Sequence, residues 1–194
     1  MEISWKASAL DLQPITDECQ LMQRLAAGDN QAMQSLIAQF GPMLQRLIGR
    51  LTAWDDASDD ILQEVLVKAW DRASEFRGTG SLEGWLRQIA VNQCRNHFRS
   101  QALLRRMKTW LWQNTSEASE NQQLHQMETA EWTRHNLAQL HHQDRALLVL
   151  FYLEERTGEE ISRLLNLKVE TVHVRLHRAR QRLKQIMTQD QDNA

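Results

Sequence analysis

The segment from residue 168 to 184 holds six cations, Lys168, Arg175, Arg178, Arg180, Arg182 and Lys184, against the single acid Glu170. Cations at that density can bind a polyanion locally, even in a chain whose net charge is only -2. A solvated helix face is the competing explanation from charge alone. His173 and His177 stand four apart, a spacing that can hold zinc. No Glu sits between them in the protease pattern and no third ligand is evident, so no metal is expected. The chain has no glycine-rich phosphate loop, no nucleophile elbow and no CxxC pair. Glu154-Glu155 and Glu159-Glu160 read as solvated or capping acids. No catalytic residue and no cofactor is expected, and the chain does not read as an enzyme.

These side chains need elements to carry them. In 194 residues there are two Pro and seven Gly, fewer turn residues than most strand-rich domains need. Forty-two per cent apolar residues are enough to bury a core. Cys19 and Cys94 cannot make a disulfide framework. No apolar run approaches the roughly 18 residues of a membrane span, and MEISWKASALDLQ lacks the features of a signal peptide. The reading is a soluble, cytoplasmic, all-α protein.

Helical periodicity places the elements. Leu21, Met22 and Leu25 share one face, and Asp29 can cap the helix carrying Ala32, Leu36, Ile37 and Phe40. Gly41-Pro42 is expected to break or kink the chain before Met43, Leu44, Leu47, Ile48 and Leu51. Ser58 can cap the helix with Ile61, Leu62, Val65, Leu66, Ala69 and Trp70, and Ser81 the helix with Leu82, Trp85, Leu86, Ile89 and Ala90. Residues 101–130 are rich in Gln, Asn, Ser and Glu and read as a flexible linker with room for some helix, in which Trp110 and Trp112 are out of place. Beyond it, Asp144 can cap a helix with Leu147, Leu148, Leu150 and Phe151, and Thr157 with Glu160 forms a capping box.

After Asn166-Leu167-Lys168 comes a long helix whose apolar positions are Val172, Leu176, Ala179, Leu183 and Ile186, one stripe on an α-helix. A short helix, a tight turn and a longer helix outline a helix-turn-helix, which displays the second helix to the DNA major groove. An ordinary helical hairpin would show the same periodicity.

Two long stretches resemble one family. TGEEISRLLNLKVETVHVRLHRARQRLKQ resembles the promoter-binding domain 4 of bacterial sigma factors, and DDILQEVLVKAWDRASEFRGTGSLEGWLRQIAVNQCRNHFRS resembles their domain 2. Their order, with only a linker between, is that of the extracytoplasmic-function (group IV) sigma factors of the sigma-70 family. The resemblance implies an N-terminal extension over 1–16, domain 2 over 17–100, a linker over 101–130, domain 4 over 131–187 and a tail over 188–194.

It also implies roles. The helix from Asp59 to Trp70 would meet the β′ clamp helices of core RNA polymerase through Asp59, Asp60, Gln63, Glu64 and Lys68. Charge compensation at a helix start would also explain the two Asp. Arg77, Gly78, Ser81, Trp85, Arg87, Asn92, Arg95, Asn96 and Arg99 would read the -10 element as a melted strand. Such reading needs amide edges, cations and a close-approaching backbone, although core packing is the simpler role for Trp85. Lys168, Glu170, Thr171, His173, Val174, Arg175, His177 and Arg178 would read the -35 duplex. Glu170 and His173-Val174 depart from the usual pattern, so the promoter preference does not transfer; Val174 can pack on a thymine methyl.

The partners implied are core RNA polymerase, through the β′ clamp helices and the β flap, promoter DNA, and an anti-sigma factor, often membrane-tethered. No small-molecule substrate is implied. The function implied is an alternative sigma factor for a stress or signal regulon. A stand-alone helix-turn-helix regulator would explain residues 131–187 equally well, but not the helix, glycine loop and Asn92/Asn96 face upstream.

Overall fold

The structure, a computed structural model, describes residues 17–111 and 129–192, with side chains over 17–104 and 134–189. Residues 1–16, Trp112 and the side chains of Arg105, Arg106 and Trp110 lie outside the described residues. Among those described there are eight α-helices and no strand, and none of the helices is long and apolar enough to cross a membrane.

The first helical unit contains α1 (Glu18–Ala26), α2 (Asn30–Thr52), α3 (Ser58–Asp71) and α4 (Leu82–Leu111). Asp17 and Asp29 cap α1 and α2, each accepting from a backbone N–H two residues on, at 2.9 and 2.8 Å. These caps satisfy donors that a helix start leaves open. The expected break at Gly41-Pro42 does not occur, because α2 runs unbroken through Pro42. Leu36, Phe40, Leu44, Leu47 and Ile48 form one buried stripe across the proline. Tertiary burial along that stripe outweighs the local cost of one missing backbone donor.

Ser58 is not the cap expected for α3. Its hydroxyl donates to the Asp55 carbonyl at 2.5 Å and meets the Thr52 hydroxyl at 2.8 Å, while Asp55 Oδ1 takes the Ala57 N–H at 2.9 Å. Ser81 does cap α4, its Oγ accepting from the Gly84 N–H at 3.1 Å. Helix α4 then continues to Leu111, well into the stretch read from composition as linker.

The second unit contains α5 (Thr129–Gln139), α6 (His142–Leu148), α7 (Gly158–Leu165) and α8 (Val169–Asp192). The cap of α6 is His141 rather than Asp144. Asp144 is buried and accepts a charged hydrogen bond from Arg182 of α8, so its carboxylate is committed across the unit. A π-helical turn, Val149–Leu153, ends α6 and exposes Tyr152 and Leu153. The Thr157/Glu160 capping box forms as expected, at 3.3 and 2.8 Å. Asn166 adopts a left-handed conformation (φ 52°) that turns α7 into α8.

Candidate nucleic-acid and polymerase interface

Helix α8 is held by Val172, Leu176 and Ala179, all buried against α6 and α7. That fixes which residues face outward. His173, Val174, Arg175, His177 and Arg178 are exposed, as are Lys168 and Glu170 at its start, while Thr171 is half-buried. Val174 is 52% exposed, an apolar group kept in water where it could meet a thymine methyl. Two flank residues are committed within the unit. Arg182 pairs with Asp144, and the Arg180 guanidinium lies over Phe151 and Tyr152 at 5.4 and 5.3 Å.

Gly158, the first residue of α7, leaves room for His173. A Cβ there would stand 3.2 Å from His173 Nε2. His177 shares a ring-nitrogen contact of 3.1 Å with the Gln181 amide. The two histidines are therefore oriented separately, one by α7 and one by its own helix. Among the described residues, no three His, Cys, Asp or Glu gather as a metal site would require.

In the first unit, the loop from Phe76 to Ser81 is exposed around Arg77, Gly78 and Ser81. Gly78 has φ +67°, a left-handed conformation, and an added Cβ would lie 2.6 Å from Cys19 Sγ on α1. The backbone conformation thus favours glycine, and a larger residue would also displace the exposed Cys19 thiol. Glu18 Oε2 accepts from the Leu82 N–H at 2.8 Å, which anchors the loop's far end to α1. Trp85 is half-buried, edge-on to Phe76 at 5.8 Å, as its packing role predicts.

Along α4, Asn92 and Arg95 are half-buried and Asn96 and Arg99 exposed. Asn96 donates to Gln93 at 3.5 Å, and Gln93 in turn donates to Glu64 of α3 at 2.9 Å. Arg87 does not stand free to meet phosphate as the sequence suggests. It is 8% exposed, bonded to Glu83 at 2.9 Å, and paired with Glu154 of the second unit. The Glu154 side chain is correspondingly neither solvated nor capping, while its backbone N–H closes the π-helical turn on the Val149 carbonyl.

Helix α3 buries Ile61, Val65 and Ala69 and turns Asp59, Asp60, Gln63, Glu64 and Lys68 outward. Periodicity alone had not singled out Val67, which is 55% exposed on the same surface. Its signal was present, since 60, 64 and 67 follow the i, i+4, i+7 spacing of one helix face.

A partly open cavity of about 110 Å³ lies between the two units. Arg95 and Arg99 enter it from α4 and Arg175 from α8, with Phe98 stacked on His142 at 4.8 Å. None of the three arginines has an ion-pair partner among the described residues. Burial lowers the Arg95 pKa, and the neighbouring Arg99 charge lowers it further. Burial likewise lowers the His142 pKa to about 4, helped by His141 and Arg145. The Cys94 thiol at the cavity wall is pushed up to about 12 by burial and is not a nucleophile.

A helical unit with an outward polar α3 and glycine loop, followed by a helix-turn-helix unit, is the architecture of a promoter-specificity factor. Residues 36–103 match sigma-70 region 2, and residues 131–183 match sigma-70 region 4. The chain belongs to the sigma-70 family and is an alternative sigma factor of the extracytoplasmic-function (ECF) type, not an enzyme. It is 29% identical to the RNA polymerase sigma factor YlaC of Bacillus subtilis, over 83% of this chain and 95% of that one. It is 26% identical to the ECF RNA polymerase sigma-E factor of Haemophilus influenzae, over 88% and 94%.

Two solved structures share the fold. CnrH, in complex with the cytosolic domain of CnrY, superposes with a TM-score of 0.60 at 23% identity, covering 89% of this chain and 98% of that one. The sigma factor RpoE of Bartonella quintana, in complex with the anti-sigma factor NepR, gives 0.58 at 23% identity, covering 78% and 94%. A stand-alone helix-turn-helix regulator would account for the region 4 match but not for the region 2 match.

Proposed function

We propose that residues 17–100 act as sigma domain 2 and residues 131–187 as domain 4, joined by the linker between them. The outward face of α3, Asp59, Asp60, Gln63, Glu64 and Lys68 with Val67 beside them, meets the β′ clamp helices of core RNA polymerase. The loop residues Arg77, Gly78 and Ser81, with Asn92, Arg95, Asn96 and Arg99 of α4, take the melted -10 strand. The start of α8, from Lys168 to Arg178, enters the -35 major groove while domain 4 rests on the β flap. Each reader is weak alone, and polymerase joins them by fixing their separation.

The observation that carries this reading is the sidedness of α8. Three apolar residues are buried on one side, and His173, Val174, Arg175, His177 and Arg178 stand exposed on the other. Side chains near the start of such a helix reach base edges, and cations further along meet phosphates. The protein is expected to work in the cytoplasm and to be held inactive by an anti-sigma factor, which a membrane anchor could tether. The Bartonella complex, with its anti-sigma factor, supports that partner.

The test is transcription with purified core polymerase on a pool of genomic promoter fragments, with and without this protein. New start sites preceded by two spaced elements are expected. Asn92→Ala should weaken dependence on the -10 element and Arg175→Ala dependence on the -35 element. Glu64→Arg should reduce core binding while leaving the helix content intact. Loss of both elements together from either DNA-facing variant would overturn the assignment of separate readers.

A further inference from the structure

We infer that the cavity between α4 and α8 is a binding site for a compact phosphate-type oxyanion, such as inorganic pyrophosphate, held by Arg95, Arg99 and Arg175. The site stands on the geometry of the cavity, whatever the three arginines do on DNA. Arg95 and Arg99 stand four apart on one face of α4, and Arg175 lines the same cavity from α8. Among the described residues, none of the three forms an ion pair or donates a side-chain hydrogen bond. Arg87 and Arg182 differ, because each is paired with a well-buried carboxylate, Glu154 and Asp144. The protein thus supplies acids for those two arginines and none for the three at the cavity.

The lining favours a negative guest. It contains no Asp or Glu, and the Cys94 thiol, which could otherwise add a negative charge, is kept protonated by burial. Val91, Leu147 and Leu165 form an apolar part of the wall that screens the like charges poorly. Burial first, and the Arg99 charge second, lower the Arg95 pKa, and a bound anion acts against both. Guanidinium groups present donors in a planar fork that matches two oxygens of a phosphate, so three of them suit a multiply charged oxyanion better than chloride.

Volume sets the size of the ligand. The cavity holds about 110 Å³. One water needs only about 10–15 Å³ of such space, whereas pockets for drug-sized molecules start near about 300 Å³. A phosphate or diphosphate group therefore fits, and a sugar or base attached to it stays outside the partly open mouth. An anion so held bonds to α4 and α8 together, and binding to the folded chain alone raises its stability.

The test is isothermal titration calorimetry of the full chain with sodium pyrophosphate at low ionic strength, with melting curves alongside. Saturable binding of one pyrophosphate per chain is expected, and the melting temperature should rise with its concentration. Arg95→Ala and Arg175→Ala should each weaken binding about tenfold or more at unchanged helix content, the loss expected for hydrogen bonds to a charged group. Arg178→Ala removes an exposed cation that does not line the cavity, and should leave the affinity unchanged. ADP separates two sources of the same chemistry. Binding of both ligands supports a site for any exposed diphosphate, and binding of pyrophosphate alone supports a site for the free anion. Absence of saturable pyrophosphate binding would overturn the proposal. So would a loss in Arg178→Ala equal to that in Arg175→Ala, which is the signature of diffuse surface charge. If Arg95→Ala lowers helix content, Arg99→Ala and Arg175→Ala decide.

Discussion

Arg50 and Glu154 lie 104 residues apart in the chain and 2.6 Å apart in space, on either side of the seam between the two helical units. Their pairing ties α2 of the first unit to the end of the π-helical turn in the second. It is also measurable. A double-mutant cycle of Arg50→Ala and Glu154→Ala, followed by urea unfolding, is expected to give a coupling of about 1–3 kcal/mol, the range for residues in one charge network. A coupling indistinguishable from zero would show that the seam is not held by this pair.

Domain 4 should be separable in its effects. Leu176 is buried in the seat of α8, and Leu176→Ala is expected to cost about 2–5 kcal/mol through lost burial and the cavity left behind. Differential scanning calorimetry should show the loss in the transition of the second unit. Core binding through α3 should persist while -35 dependence disappears. Equal loss of both would show that the second unit supports the α3 surface.

The glycine loop from Phe76 to Ser81, proposed to take the -10 strand, makes a more local prediction. Gly78→Ala places an L residue at φ +67° and a Cβ against Cys19 Sγ. The backbone strain is about 1–2 kcal/mol. The thiol must also move to another rotamer. Adding Cys19→Ala should recover only the steric share, so a full recovery of the melting temperature would show that the backbone conformation is not the constraint.

Acid should loosen the seam through His142, which stacks on Phe98 beside His141, Asp144 and Arg145. Its folded pKa of about 4 lies below the ordinary value of 6.5, so the folded state favours the neutral ring. The unfolded chain binds the proton first as pH falls. The stabilisation is therefore complete above about pH 6.5 and is lost progressively down to about pH 4. Glu83, lowered chiefly by its bond to Arg87, loses its contribution below its ordinary range, at lower pH. Urea midpoints should thus decline between pH 6.5 and 5 in the unmodified chain, and His142→Phe should flatten that decline. A parallel decline in both would move the origin to other groups.

Much of the fold was legible because it depends on near neighbours. The Asp29 cap, the Thr157/Glu160 box, the Asn166 turn and the buried side of α8 all follow from residues within a few turns of one another. Local signals failed where a second partner, near or distant, competed for the same group. Ser58 was drawn off its helix start by Asp55 and Thr52, and Asp144 by Arg182. Gly41-Pro42 carried a true breaker signal, but the apolar stripe on either side was buried as one surface. Composition marked 101–130 as a linker with room for some helix, and α4 continues through its first part to Leu111.

Helicity, the likeness to the sigma factors and the outward sides of α3 and α8 can all be read from the order of the residues. Helical periodicity and capping are short-range, and a stripe of apolar side chains names its own buried face. Packing between distant helices is what commits Arg87 to Glu83 and Glu154 and brings Arg95, Arg99 and Arg175 to one cavity. An arginine's chemistry is the same in either setting. Whether it meets a phosphate or a buried carboxylate depends on which distant helix comes beside it, and no local pattern encodes that approach.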